Sequence, residues 1–247
     1  MTWPTWLPLR ETLRPLSPYG APQVPAIASL NTNENPYSPS PVLQKAITDA
    51  VAKVAADLNR YPERDATTLR EKLAQYINEQ SATRFSAENI WAANGSNEII
   101  QSIFLAFAHG PVLGFTPSYS MHPLIAKTTG AQWIDGKRNA DFSLNTADAV
   151  AEIIKNKPTL TFITTPNNPT GGAVTIDAIQ ELADAAKQVG GLLVVDEAYA
   201  EFSQEVSAVT LVANNPHVIV IRTMSKAFAF AGARLGYLVS DVAVKDA

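Results

Sequence analysis

The sequence contains no cysteine. That removes disulfides, thiolate nucleophiles and cysteine-ligated zinc, and it fits a cytoplasmic chain. Excess charge is also missing. Lys and Arg number 19 against 23 Asp and Glu, a net charge of −4 with no basic block, so nothing favours nucleic acid as a partner. No apolar run reaches membrane-spanning length, and residues 1–8 have neither the basic start nor the apolar stretch of a signal peptide. Neither membrane nor export is expected. His109, His122 and His217 are scattered without metal-ligand spacing; each is read as solvated or packed, and no metal is expected. There is no G-x-S-x-G elbow for a hydrolase and no glycine-rich dinucleotide fingerprint. The run at 192–197 looks like the magnesium-binding strand of a nucleotide hydrolase, which needs a phosphate loop. The Gly136-Lys137 pair fails that test, because Arg138 follows it and Ala131 stands where the first glycine should be.

What is present is a large apolar fraction, 46% of 247 residues, enough for one large domain or two small ones. Residues 1–40 are rich in proline and asparagine without a sustained period and read as an extended N-terminal arm contacting substrate or a partner. An i, i+3/i+4 apolar pattern over 42–58 predicts an amphipathic helix, and a second helix opens at Thr67 or Thr68 and runs through Ile77. Short strands are then expected at 89–93, 112–115, 131–135, 160–163, 192–195, 217–221 and 235–240, with helices between most of them. Continuous apolar strands alternating with helices mean an α/β fold: a mostly parallel sheet with helices on both faces, here assigned to 41–247.

The turn after the strand at 217–221 draws attention first. Lys226 lies just past it, flanked by hydroxyls, among apolar residues and eight positions before Arg234. Low hydration and a cationic neighbour both lower a lysine pKa and make the amine a nucleophile toward carbonyls. Other strand ends carry matching groups. Gly95-Ser96-Asn97 opens a helix and suits an anion, or is a plain N-cap. Tyr119 could stack on a flat ring or belong to the core. Asn167-Asn168-Pro169-Thr170-Gly171 is turn-forming, with an amide able to reach a ligand hydroxyl. Asp196 ends a very apolar strand, where a carboxylate needs a cation or several donors. A protonated pyridine nitrogen would serve.

In this order, Asn168-Pro169-Thr170-Gly171, Asp196-x-x-Tyr199, Ser225-Lys226 and Arg234 resemble the fold-type I pyridoxal-phosphate aminotransferases. Softer stretches, namely 17–23, 30–37 and 117–123, resemble the histidinol-phosphate subgroup. The resemblance implies a pyridoxal 5'-phosphate cofactor carried by Lys226, which also shuttles the substrate proton. It implies that Asp196 pairs with the pyridine nitrogen, that Asn168 and Tyr199 contact the ring hydroxyl oxygen, and that Tyr119 stacks on the ring. Ser96, Asn97, Ser225 and Arg234, with Thr223 beside them, would hold the phosphate. Tyr37 would reach the phosphate of the other subunit's cofactor in a homodimer, and Tyr19 would lie near substrate. The implied reaction converts L-histidinol phosphate and 2-oxoglutarate to imidazole acetol phosphate and L-glutamate. An aromatic-amino-acid aminotransferase, a threonine-phosphate decarboxylase and a non-catalytic remnant are the alternatives. The family continues past the position of Ala247 into a C-terminal small domain of ~100 residues, a usual domain size. With that small domain absent, the chain is expected to encode cofactor binding more fully than turnover, and to be of low stability alone.

Overall fold

The computed structural model describes residues 3–17, 20, 25, 27 and 30–247. Seven strands form one sheet: β1 (Ile90–Ala93), β2 (Val112–Thr116), β3 (Trp133–Lys137), β4 (Leu160–Thr164), β5 (Leu192–Asp196), β6 (Val218–Thr223) and β7 (Gly236–Val239). Their order is β1-β7-β6-β5-β4-β2-β3. β7 runs antiparallel to β1 and β6, and every other pairing is parallel. The helices are α1 (Pro41–Ala55), α2 (Thr67–Ser81), α3 (Ser96–Phe107), α4 (Met121–Thr129), α5 (Thr146–Asn156) and α6 (Ile176–Gln188), with short helical turns besides.

Two apolar layers sandwich the sheet, and strand alternation decides which residue enters which. Leu193 and Val195 of β5 face a core built with Leu73 and Ile77 of α2, Ile153 of α5 and Ile179 and Leu182 of α6. Val194, between them, faces the opposite core with Ile99, Ile103 and Phe104 of α3 and Ile125 of α4. Because both faces are covered, the central strands need no polar alternation, which is why they read as unbroken apolar runs.

Two of the boundaries that differ from the sequence reading are informative. The strand expected at 131–135 begins at Trp133, because the Ala131 amide still bonds the Ala126 carbonyl of α4 across the left-handed Gly130. The helix expected over 42–58 ends at Ala55, and none of its residues is buried. Ser40 caps it and Pro41 fits its first turn, so its start is locally encoded, but its apolar stripe meets no core. No helix among the described residues is long and apolar enough to cross a membrane.

The antiparallel β7 brings the chain back against the start of α3. A methyl group at Gly236 would stand 2.4 Å from the Ser96 amide nitrogen and 2.5 Å from the Gly95 carbonyl carbon. Backbone cannot yield there as a flexible side chain could. Gly236→Ala is therefore expected to destabilise the chain by about 1–3 kcal/mol, the usual range for overpacking. Urea unfolding should show a lower midpoint at unchanged slope; an unchanged midpoint would contradict this packing.

Candidate functional site

The central parallel strands end level with one another: Thr164 of β4 lies opposite Asp196 of β5, and Asp196 opposite Ile221 of β6. Ligands of open α/β sheets bind outside the carboxyl ends of the strands, and here those ends enclose a cavity of about 690 Å³. Ser96, Asn97, Tyr119, Asn168, Asp196, Tyr199, Thr223, Ser225, Lys226 and Arg234 all line it. Two expected residues do not. Tyr37 is exposed on the arm and outside the lining, and Tyr19 lies outside the described residues.

One corner of the cavity has the chemistry of an anion site. Gly95 sits at the N-terminus of α3 with φ 88°, and the Arg234 guanidinium passes so close that a methyl group there would come within 2.4 Å of Nη2. The free amides of the helix start, an arginine and the Thr223 and Ser225 hydroxyls, 3.0 Å apart, share this corner. Helix N-terminal amides with a cation beside them hold phosphate-like groups well. Tyr119 donates to Asn97 Oδ1 at 3.1 Å, which ties the neighbouring wall to the same helix start.

At the floor, Asp196 is 2% exposed. Its Oδ1 accepts from the Ala198 amide at 3.1 Å, and its Oδ2 lies 3.0 Å from Nε2 of the equally buried His122. A carboxylate only accepts, so the Nε2 hydrogen points at it. The His122 ring is held against Phe162 at 4.8 Å and edge-on to Tyr119 at 5.4 Å. Two donors satisfy part of the carboxylate, which also contributes to the cavity wall.

Lys226 projects from the loop after β6. Its surroundings are more polar than the flanking apolar residues suggest. The amine donates to the carbonyls of Thr32 and Asn33 at 3.0 and 3.1 Å and stands 5.8 Å from the centre of the Tyr199 ring. Phe228 turns away and packs edge-on against Tyr76. Partial burial pushes the lysine pKa below its ordinary value; Glu34 opposes that shift and Arg234 adds to it. The Tyr199 hydroxyl accepts from Asn33 Nδ2 at 3.1 Å and Asn168 Nδ2 at 3.4 Å. No cluster of potential metal ligands occurs among the described residues.

The family model described as "Aminotransferase class I and II" matches residues 25–247. The chain belongs to that family. It is 53% identical over 246 residues to a histidinol-phosphate aminotransferase of Thermobifida fusca, covering 98% of this chain and 65% of the relative. Across eight similar curated relatives of the same name the chain spans 61–65% of their length. Among solved structures, a provisionally assigned histidinol-phosphate aminotransferase of Erwinia carotovora atroseptica is 30% identical, with a TM-score of 0.75 over 87% of this chain and 61% of that one. The Sinorhizobium meliloti histidinol-phosphate aminotransferase, solved with pyridoxal-5'-phosphate, is 24% identical, with a TM-score of 0.72 over 86% of this chain and 56% of that one. That last likeness shows the aminotransferase fold.

Sequence reasoning missed the contacts of three residues in this site. His122 reads from the sequence as solvated or packed; its contact with Asp196 spans 74 positions and no local pattern announces it. Asn33 reads only as part of the arm and of the 30–37 stretch. Asn167 is buried, its Oδ1 accepting from Ser118 at 2.8 Å while its Nδ2 donates to the Pro117 carbonyl at 3.0 Å, so it joins the loop of Asn168 to that of Tyr119.

Two predictions follow from the electrostatics and burial of the site. Arg234→Gln removes a like charge and is expected to raise the pH at which Lys226 loses its proton, whereas Glu34→Gln should lower it. Competitive dinitrophenylation against pH, mapped to the Lys226 peptide, reads both directions, and identical midpoints would refute the assignment. His122→Phe keeps the ring packing but strips a donor from a buried carboxylate, at a cost of about 1–3 kcal/mol. Urea unfolding measures it.

Proposed function

We propose that this chain forms the cofactor-binding part of a histidinol-phosphate aminotransferase, acting in histidine biosynthesis. The reaction is L-histidinol phosphate plus 2-oxoglutarate giving imidazole acetol phosphate plus L-glutamate, with pyridoxal 5'-phosphate as cofactor. The observation that carries the reading is one cavity holding a half-buried lysine amine, a buried carboxylate and an anion corner. The 53% identity to the Thermobifida fusca enzyme supports the substrate.

The fit to the cofactor rests on the donor set. The α3 start with Arg234, Ser96, Asn97, Thr223 and Ser225 would hold its phosphate. Asp196, which lines the cavity, would keep a proton on the pyridine nitrogen, and Tyr119 would cover the ring. Asn168 and Tyr199 would meet the ring hydroxyl oxygen. When bound, the cofactor supplies an aldehyde and an electron-withdrawing ring that accepts charge from the substrate carbon. The residues do the rest. Lys226, whose pKa burial lowers, supplies the amine that serves as nucleophile and then as the base that moves the substrate proton.

The reading includes a cytoplasmic homodimer whose Tyr37, exposed here, reaches the phosphate of the partner's cofactor. Tyr19 would contact substrate.

The test is borohydride trapping of pyridoxal phosphate on the purified chain, with peptide mass mapping and Lys226→Ala in parallel. Label concentrated on Lys226 and lost in the variant is expected, and Asp196→Asn should weaken cofactor retention. Scattered labelling, equal in Lys226→Ala, would sink the reading. Histidinol phosphate, competed against phenylalanine and threonine phosphate in the half-reaction, then tests the substrate.

A further inference from the structure

Asn33 lies on the arm, not the sheet, and its backbone is left-handed at φ 52°. Asparagine takes that conformation more readily than most residues. The turn directs two of its groups inward. The side-chain amide donates to the Tyr199 hydroxyl, and the backbone carbonyl accepts from the Lys226 amine beside the carbonyl of Thr32. Two residues on, the Asn35 amide donates to the carbonyls of Lys226 and Ala227 at 3.3 and 3.4 Å. The arm therefore holds the lysine at both its amine and its main chain. Tyr199 receives a second amide from Asn168. A phenol oxygen has two acceptor positions and one hydrogen. Both acceptor positions are then taken, and the hydrogen is left to donate elsewhere.

We propose that Asn33 is a positioning residue of this site: its amide orients the Tyr199 hydroxyl, and its left-handed turn delivers the carbonyl that holds the Lys226 amine. The significance of those two groups rests on the aminotransferase reading, but the test needs no cofactor. Glu34 and Arg234 are the charges acting on Lys226, and Asp196 is the charge acting on Tyr199. The test leaves all three in place.

Two variants of the full chain separate the two contacts. Asn33→Gly keeps the positive φ and deletes only the amide, whereas Asn33→Ala also strains the turn. Tyrosine carrying ¹³C at Cζ is titrated by NMR, with the Tyr199 signal assigned by its loss in Tyr199→Phe. Lys226 is followed by dinitrophenylation against pH. In both variants the Tyr199 midpoint should rise by about half a unit to one unit, since a donor that favours the phenolate is gone. The Lys226 midpoint should fall in Asn33→Ala, where the ammonium loses its acceptor, and stay in place in Asn33→Gly. A Tyr199 midpoint unchanged in both variants, or a Lys226 midpoint unchanged in Asn33→Ala, overturns the proposal. If these shifts occur while pyridoxal phosphate fails to label Lys226, the functional reading falls and the positioning role stands.

Discussion

A carboxylate placed where the central strand leaves a sheet covered on both faces is the constraint to which the rest of the site answers. Unpartnered, Asp196 would cost several kcal/mol in lost hydration. The fold meets that cost locally, with the Ala198 amide on one oxygen and His122 on the other. His122 in turn depends on α4 and on the aromatic layer beneath it, where Phe162, Tyr119 and Trp133 fix the plane of its ring. The apolar core on the α3 and α4 face therefore does more than stabilise the sheet. It aims an imidazole.

The next residue solves the same problem in the opposite direction. Glu197 is as buried as Asp196, but it points to the other side of the chain, as successive residues of an extended segment do. There its Oε2 accepts from Arg222 Nε at 2.8 Å and from Ser207 at 2.8 Å, while its Oε1 accepts from the Ala208 amide. Arg222 also reaches Glu201 at 2.9 Å. Buried ion pairs add little net stability because desolvation offsets attraction. Arg222 belongs to β6 and Glu197 follows β5, so the pair ties the ends of two neighbouring strands together on the side away from Asp196.

The sheet was legible because strands covered on both faces must be apolar throughout, as the runs ending at Asp196 and near Thr223 are. The exceptions were segments without that double burial. β3 pairs only with β2 and starts two residues late because a helix cap uses the preceding positions. The α1 pattern encodes a helix but not what its apolar stripe meets. Site residues at strand ends were equally legible, since parallel topology brings consecutive strand ends together whatever the loop lengths. Partners arriving from elsewhere were not. His122 to Asp196, Asn33 to Tyr199 and Asn35 to Lys226 join positions 74, 166 and 191 apart, and such pairings depend on helix placement and on the arm's path rather than on local spacing.

The site thus draws on two kinds of support with different stiffness. The charged groups Asp196, Lys226 and Arg234 come from strand ends or their immediate loops, backed by core side chains with almost no exposure. The arm supplies two carbonyls, two amides and the Glu34 charge, from a stretch where no residue between Asn31 and Ser40 is buried. Its hold comes mainly from hydrogen bonds worth about 1 kcal/mol each. Segments with few buried apolar contacts open at far lower free energy than the core. The arm can therefore leave Lys226 and Tyr199 without disturbing the sheet; Asp196 and Arg234 keep their places through that opening, while Lys226 loses two acceptors and the nearby Glu34 charge.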